Sequence, residues 1–187
     1  KCGIALAFLA ATMALMNGRI WPAGLPYWET SILAVSGVIG LTIGDTAFFG
    51  ALNRLGSRRT LVLWALAPPM TALLALPVVG EPITLKMVVG ISLTVGGVVW
   101  VILERNPGED GSTEETADGG WTRAEKIGIA LGVTTAVCQA TGNVLAKLGG
   151  GNIPALDISV IRLAFGSLGL AMLLGFTARL GEVVEPM

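Results

Sequence analysis

Residues 37–97 read GVIGLTIGDTAFFGALNRLGSRRTLVLWALAPPMTALLALPVVGEPITLKMVVGISLTVGG. Three apolar segments fill this stretch, separated by two short polar breaks at 53–59 and 80–84, and one carboxylate, Asp45, is stranded inside the first segment. A helix rises 1.5 Å per residue, so about 20 apolar residues cross a hydrocarbon layer of roughly 30 Å. Long apolar runs joined by hairpin-length breaks, with a buried acid in one of them, are not a soluble core. They read as membrane spans.

Composition agrees. Of 187 residues, 53% are hydrophobic and 13% charged, whereas about a quarter of an ordinary soluble domain is charged. The formal net charge of −1 gives no basic footprint for nucleic acid, so none is expected as a partner. The chain has no His, which excludes His-ligated zinc and a Ser-His-Asp triad within it. Its two cysteines, Cys2 and Cys138, both lie in apolar segments and make neither a disulfide framework nor a thiolate metal site. No metal and no cofactor are expected. The chain opens on Lys1 and runs straight into apolar residues, the pattern of a fragment cut in or beside a helix. A signal peptide over 1–16 is the second reading, since no small-x-small cleavage site follows.

Outward from 37–97, the expectation is six helical spans. The first, 2–16, carries Gly3, Ala7, Ala10 and Ala14 on one face. A connection at 17–28 holds the breakers Pro22, Gly24 and Pro26 with Trp21, Tyr27 and Trp28 at aromatic-belt depth. The second span, 31–52, repeats the small-residue seam as Gly37, Gly40, Gly44, Ala47 and Ala51, and the fourth, 83–103, carries Gly90, Thr94 and Gly97. Such seams let helix backbones approach in lipid. In the third span, 60–79, Pro68 and Pro69 remove backbone donors and predict a kink or break at membrane depth. Residues 104–122 read ERNPGEDGSTEETADGGWT, an acidic flexible linker. The fifth span, 125–148, shows Gly128, Gly132, Thr135, Gln139, Gly142 and Ala146 with Asn143 alongside; the sixth, 158–176, follows Asp157 and carries Arg162, Gly166 and Gly169.

Over residues 45–97 the chain resembles the drug/metabolite transporter superfamily, specifically its EamA-type members. The matching pieces are Ala51-Leu52, Arg54-Leu55-Gly56, Pro68, Gly80-Glu81-Pro82-Ile83-Thr84, Gly90 and Gly97, in order and with these gaps. Residues 140–147 and Arg162 resemble the opening of a second EamA unit. The resemblance implies an all-α polytopic bundle, part of two inverted five-helix repeats. The chain would hold helices two to seven of ten: 1–103 as the last four helices of the first repeat, 104–122 as linker, 123–187 as the first two of the second. It also implies a multi-pass protein of the plasma (inner) membrane, moving small organic metabolites outward by alternating access, with the bilayer, the solute and a possible homodimer mate as partners. Gln139 stands where the family often has Trp, and Asp45 where many members have an apolar or aromatic residue, so the substrate is not implied. Eight basic residues, among them Arg54, Arg58 and Arg59, would place the linker in the cytoplasm against four on the other side. The motif behind helix three, however, belongs to both inverted halves and votes for both orientations.

The sharpest candidate is Asp45. A charged Asp in mid-span costs about 2.5 to 3.5 kcal/mol on insertion scales, so it should face protein or water. Thr42 lies one turn before it, with Phe48 and Phe49 one turn after. It is either a substrate or proton-coupling carboxylate, or a structural acid bonded to Thr or to an Arg near the interface. Gln139 and Asn143, one turn apart, either bind a polar substrate or act as interhelical glue. Pro68-Pro69 either expose carbonyls to a cavity flanked by Trp64 and Thr71, or only kink the helix. Glu81-Pro82 reads as a helix-start device, and Arg162 as a snorkelling or Asp157-paired cation. The gradient-driven transporter competes with a non-transporting helical scaffold or assembly subunit. A membrane enzyme has no second carboxylate, His or Ser/Lys pair to work with, and no GxxxxGK[ST] loop holds ATP.

Overall fold

The computed structural model describes residues 2–17, 25–80, 84–103, 122–151 and 153–184. All elements among the described residues are helical: α1 (Cys2–Asn17), α2 (Tyr27–Gly37), a π-helical segment (Val38–Ile43), α3 (Gly44–Trp64), α4 (Ala67–Val79), α5 (Leu85–Leu103), α6 (Arg123–Gly150) and α7 (Ala155–Val184). The linker expected at 104–122 lies outside the described residues except for Thr122, as do Trp21, Glu81 and Pro82.

The chain forms two compact units, Lys1–Thr42 with Leu145–Met187, and Ile43–Val144. In the first, α1 and α2 pack along α7. Leu33 and Ile161 are fully covered, with Ala146, and are ringed by Leu25, Ile153, Ile158 and Phe165. The approach of α2 to α7 depends on hydrogen atoms standing where side chains would be. A Cβ on Gly37 would strike the Arg162 carbonyl, and one on Gly166 would meet Leu41 Cδ1 at 2.6 Å and the Gly37 oxygen at 2.9 Å. One on Gly169 would strike Thr42 Oγ1. Positions rise together along both helices, so the two run parallel.

In the second unit the decisive residue is Gly56. Its φ of 77° and ψ of 173° are not helical, and φ in this range favours glycine because it has no Cβ to clash. The two arms of α3 then run opposite ways along α6. Gly50 faces Leu131 and Leu55 faces Gly128, whereas Arg59 bonds Glu125 and Leu63 faces Gly132. In the first arm rising numbers meet falling ones; in the second both rise. The polar break at 53–59 is therefore the turn between two passes. Leu55, Leu63, Leu66, Ala67, Val98 and Ala136 make this unit's core, with α5 packed on α3 and α4.

The second arm is itself interrupted. Ala65 N–H bonds the Leu61 and Val62 carbonyls at 3.1 and 3.2 Å, and Leu66 N–H bonds Leu63 at 3.1 Å, before α4 starts at Ala67. Pro68 and Pro69 fall in the first turn of α4, where a missing N–H costs no intrahelical bond. Gly80, at φ 69°, closes α4 with its N–H on the Leu76 carbonyl at 3.1 Å, a left-handed glycine cap.

By length and apolarity, four helices can cross a bilayer: Tyr27–Trp64, Leu85–Leu103, Arg123–Gly150 and Ala155–Gly175. The reversal at Gly56 makes the first of these two rods, 27–55 and the start of 57–79. With the 16-residue α1, six rods result among the described residues, the number expected. The shorter ones fall below span length because α1 is brief and 57–79 is broken at 65–66. Their outer surfaces suit lipid: Trp28, Leu93 and Trp100 are each more than 70% exposed. The protein is a polytopic helical membrane protein.

Candidate functional site

Asp45 is the second residue of α3, directly after the π-helical segment. A π turn adds a residue per turn and is found at functional positions more often than its rarity would suggest. Here it ends two residues before the carboxylate. Asp45 is half-buried, and among the described residues no hydrogen bond or ion pair reaches its carboxylate. One turn on, Phe48 and Phe49 form an edge-to-face pair with ring centroids 5.8 Å apart. Phe49 is about half exposed.

Thr42 is used differently. It is buried, and its hydroxyl donates to the Gly166 carbonyl at 3.0 Å. This bond belongs to the packing of the π-helical segment on α7, in the first unit, whereas Asp45, Trp64, Thr71, Gln139 and Asn143 belong to the second. Thr71 donates to its own helix at the Ala67 carbonyl, 2.8 Å away. Trp64 is exposed, Pro68 exposed and Pro69 buried. Gln139 is half-buried between the fully covered Ala136 and Ala140, while Asn143 is exposed. Gly90 and Gly97 are exposed, and a Cβ on either would meet nothing within 4 Å. Arg162 is half-buried on α7, its carbonyl against Gly37.

A second polar cluster lies at the start of α6. Thr122 and Glu125 close on one another: Glu125 N–H donates to Thr122 Oγ1 at 3.2 Å, and Thr122 N–H donates to Glu125 Oε2 at 2.8 Å. This is a capping box, which satisfies two of the orphan amides of a helix start. The other carboxylate oxygen, Oε1, accepts from Arg59 Nη1 at 3.1 Å. The sequence puts Thr122 in the linker and Arg59 among the eight basic residues on the linker side. The T-x-x-E spacing at 122–125 was the available signal for the cap; nothing in the sequence pointed across to Arg59.

The apolar helices α1 to α5 and the motif block at 45–97 fall within a stretch that matches a known family. The model of the EamA-like transporter family matches residues 1–103. The chain belongs to the EamA-like transporter family. No curated protein and no solved structure matches it. As an EamA-like protein it is an integral, multi-pass membrane protein of a transporter family, and its surroundings are a lipid bilayer and a small-molecule substrate. The match covers α1 to α5 and so includes Asp45, the Gly56 reversal and the Pro68-Pro69 break.

Proposed function

We propose that this EamA-like protein is a gradient-driven exporter of small organic metabolites in the plasma membrane, working by alternating access, with Asp45 as the carboxylate that couples or binds. The observation that carries the reading is that Asp45 lies within an apolar helix and has no protein partner among the described residues. A charge held there without a counter-ion is costly and marks a substrate or proton path by default. Pro68-Pro69 support it: neither can donate to the carbonyls one turn back, so backbone oxygen near 64–65 is left for a solute or water, the arrangement broken helices use in transporters. Gln139 and Asn143 on α6 are the polar contacts proposed for the solute. Residues 123–187 are read as the opening of the second inverted repeat.

The test is flux through the full chain in proteoliposomes under an imposed pH gradient. Asp45→Asn keeps the shape and removes the titrating group. Proton-coupled flux should fall by at least about tenfold and lose its pH dependence; the same pH dependence in Asp45→Asn would remove this role.

A second reading, a helical scaffold, is favoured by one observation. Among the described residues nothing lies within 4 Å of a Cβ on Gly90 or Gly97 of α5, as on a surface waiting for another helix. A scaffold would show no flux in the wild-type protein and would lose its helix partners when Gly97 is made Leu.

A further inference from the structure

We propose that Arg59 and Glu125 form a latch that holds the start of α6 against the Gly56 reversal in one state of the protein and parts in another. The proposal rests on the alternating-access reading above, because a latch needs two states to choose between. Both residues belong to polar stretches at the ends of apolar segments, where charged groups ordinarily stand in water. Yet Arg59 is 4% and Glu125 7% exposed, with Nη1 and Oε1 3.1 Å apart.

Stability alone does not account for such a pair. Desolvating two ions offsets most of their attraction, and an apolar pair of similar volume would hold the fold as well. A buried ion pair differs from an apolar contact in its response to water. Kept dry, the bond is strong; once wetted, each ion recovers its hydration and little is lost on separation. The contact therefore has different free energies in closed and open arrangements, which is what lets a contact bias a two-state equilibrium.

The local geometry allows opening without unravelling α6. Oε2 takes both Thr122 bonds, from the backbone amide at 2.8 Å and from the hydroxyl at 3.1 Å, and Oε1 accepts from Arg59 at 3.1 Å. The capping box survives when Arg59 leaves. Arg59 also sits three residues after Gly56, whose unusual backbone makes the reversal. On either side of the ion pair the α3 arms rest on glycines of α6, Leu55 against Gly128 and Leu63 against Gly132. These contacts keep water from the pair while they are made. They involve flexible Leu side chains, so they can be broken without moving a neighbouring backbone.

The experiment reads opening directly. In a Cys2→Ser/Cys138→Ala background, Thr60→Cys places a thiol at a fully buried position beside Arg59, and its maleimide labelling rate is measured on the full chain in membranes. Glu125→Gln keeps the capping box, since Gln serves at that position as Glu does, but removes the charge. Labelling should rise at least about tenfold, the scale expected when a buried pair loses one partner. Arg59→Gln should do the same, and the exchange Arg59→Glu/Glu125→Arg should bring the rate back toward wild type. Thr122→Ala weakens the cap and leaves the ion pair, so it should change labelling by less than about twofold.

Wild-type labelling in Glu125→Gln would overturn the latch, and so would an equal rise in Thr122→Ala, which would make Glu125 a helix cap only. Should Arg59→Gln fail to accumulate, Glu125→Gln still decides. Flat labelling with intact solute flux sinks the latch alone. A labelling contrast with no flux in the wild-type protein sinks the transport reading and leaves a two-state contact.

Discussion

α5 and the helices α2, α6 and α7 carry the same kind of stripe, glycines and small residues at helical spacing, and the protein treats them in opposite ways. On α6, Gly128, Gly132, Thr135, Gly142 and Ala146 are all buried. On α5, Gly90 and Gly97 are exposed and Thr94 only half-covered. Thr94 turns its hydroxyl back on its own helix, to the Gly90 carbonyl at 2.9 Å. A small residue removes an obstacle to approach but supplies no attraction. Burial follows only where a facing residue fills the space, as Leu55 and Leu63 do opposite α6. The core contact of α5 comes from Val98, one turn beyond Thr94 and flanking the two exposed glycines.

The largest effect that would test this contrast is at Gly37. The atom in the way of a Cβ there is the backbone carbonyl of Arg162, which cannot rotate aside, so α2 and α7 must separate. Gly37→Ala should destabilise the protein by about 3 kcal/mol, the upper part of the range for overpacking, or prevent accumulation. Thermal unfolding in detergent, followed by helical signal, reads this. A melting temperature equal to wild type would mean that the α2–α7 approach is looser than it stands.

At Gly132 the obstacle is softer. A Cβ would lie 2.5 Å from Leu63 Cδ1 and 3.0 Å from its Cβ, and the Leu can change rotamer at some cost. Gly132→Ala should destabilise by about 1 to 2 kcal/mol, and pairing it with Leu63→Ala should recover part of the loss, since the two substitutions share one space. If Gly132→Ala costs as much as Gly37→Ala, the difference between yielding side chain and fixed backbone is not what sets the price.

These residues also mark how far the sequence could be read. Hydropathy alone gave the six rods, because a bilayer requires long apolar helices and permits little else. The polar break at 53–59 was legible as a turn, and Gly56 is the residue in it that tolerates positive φ. The EamA motif block was legible because its pieces are punctuation: glycines, prolines and a Gly-Glu-Pro stop. Packing was not legible. Thr42 looked like a companion of Asp45 from its spacing, but its hydroxyl is bonded to Gly166, 124 residues away. The π-helical turn at 38–43 has no marker of its own, since VIGLTI suits an α-helix equally. Glu125 and Arg59 are 66 residues apart, and their pairing depends on the chain reversing at Gly56, which no local pattern places opposite α6. The stripes of α5 and α6 are alike in sequence, and only the facing residues, invisible in a one-dimensional pattern, separate them.

The smallest effect belongs to α5, and it is the one that gives the comparison its edge. No described residue lies within 4 Å of a Cβ on Gly97, so Gly97→Ala meets no clash among them and removes backbone freedom from the unfolded chain. The expected change is between zero and a gain of about 1 kcal/mol, read in the same detergent unfolding as the other two. A loss comparable to that of Gly132→Ala would show that the α5 face is covered in the working protein by another helix. The exposure would then reflect a missing neighbour instead of a lipid-facing surface, and a loss that grows with protein concentration would identify that neighbour as a second copy, because only self-association makes stability concentration-dependent.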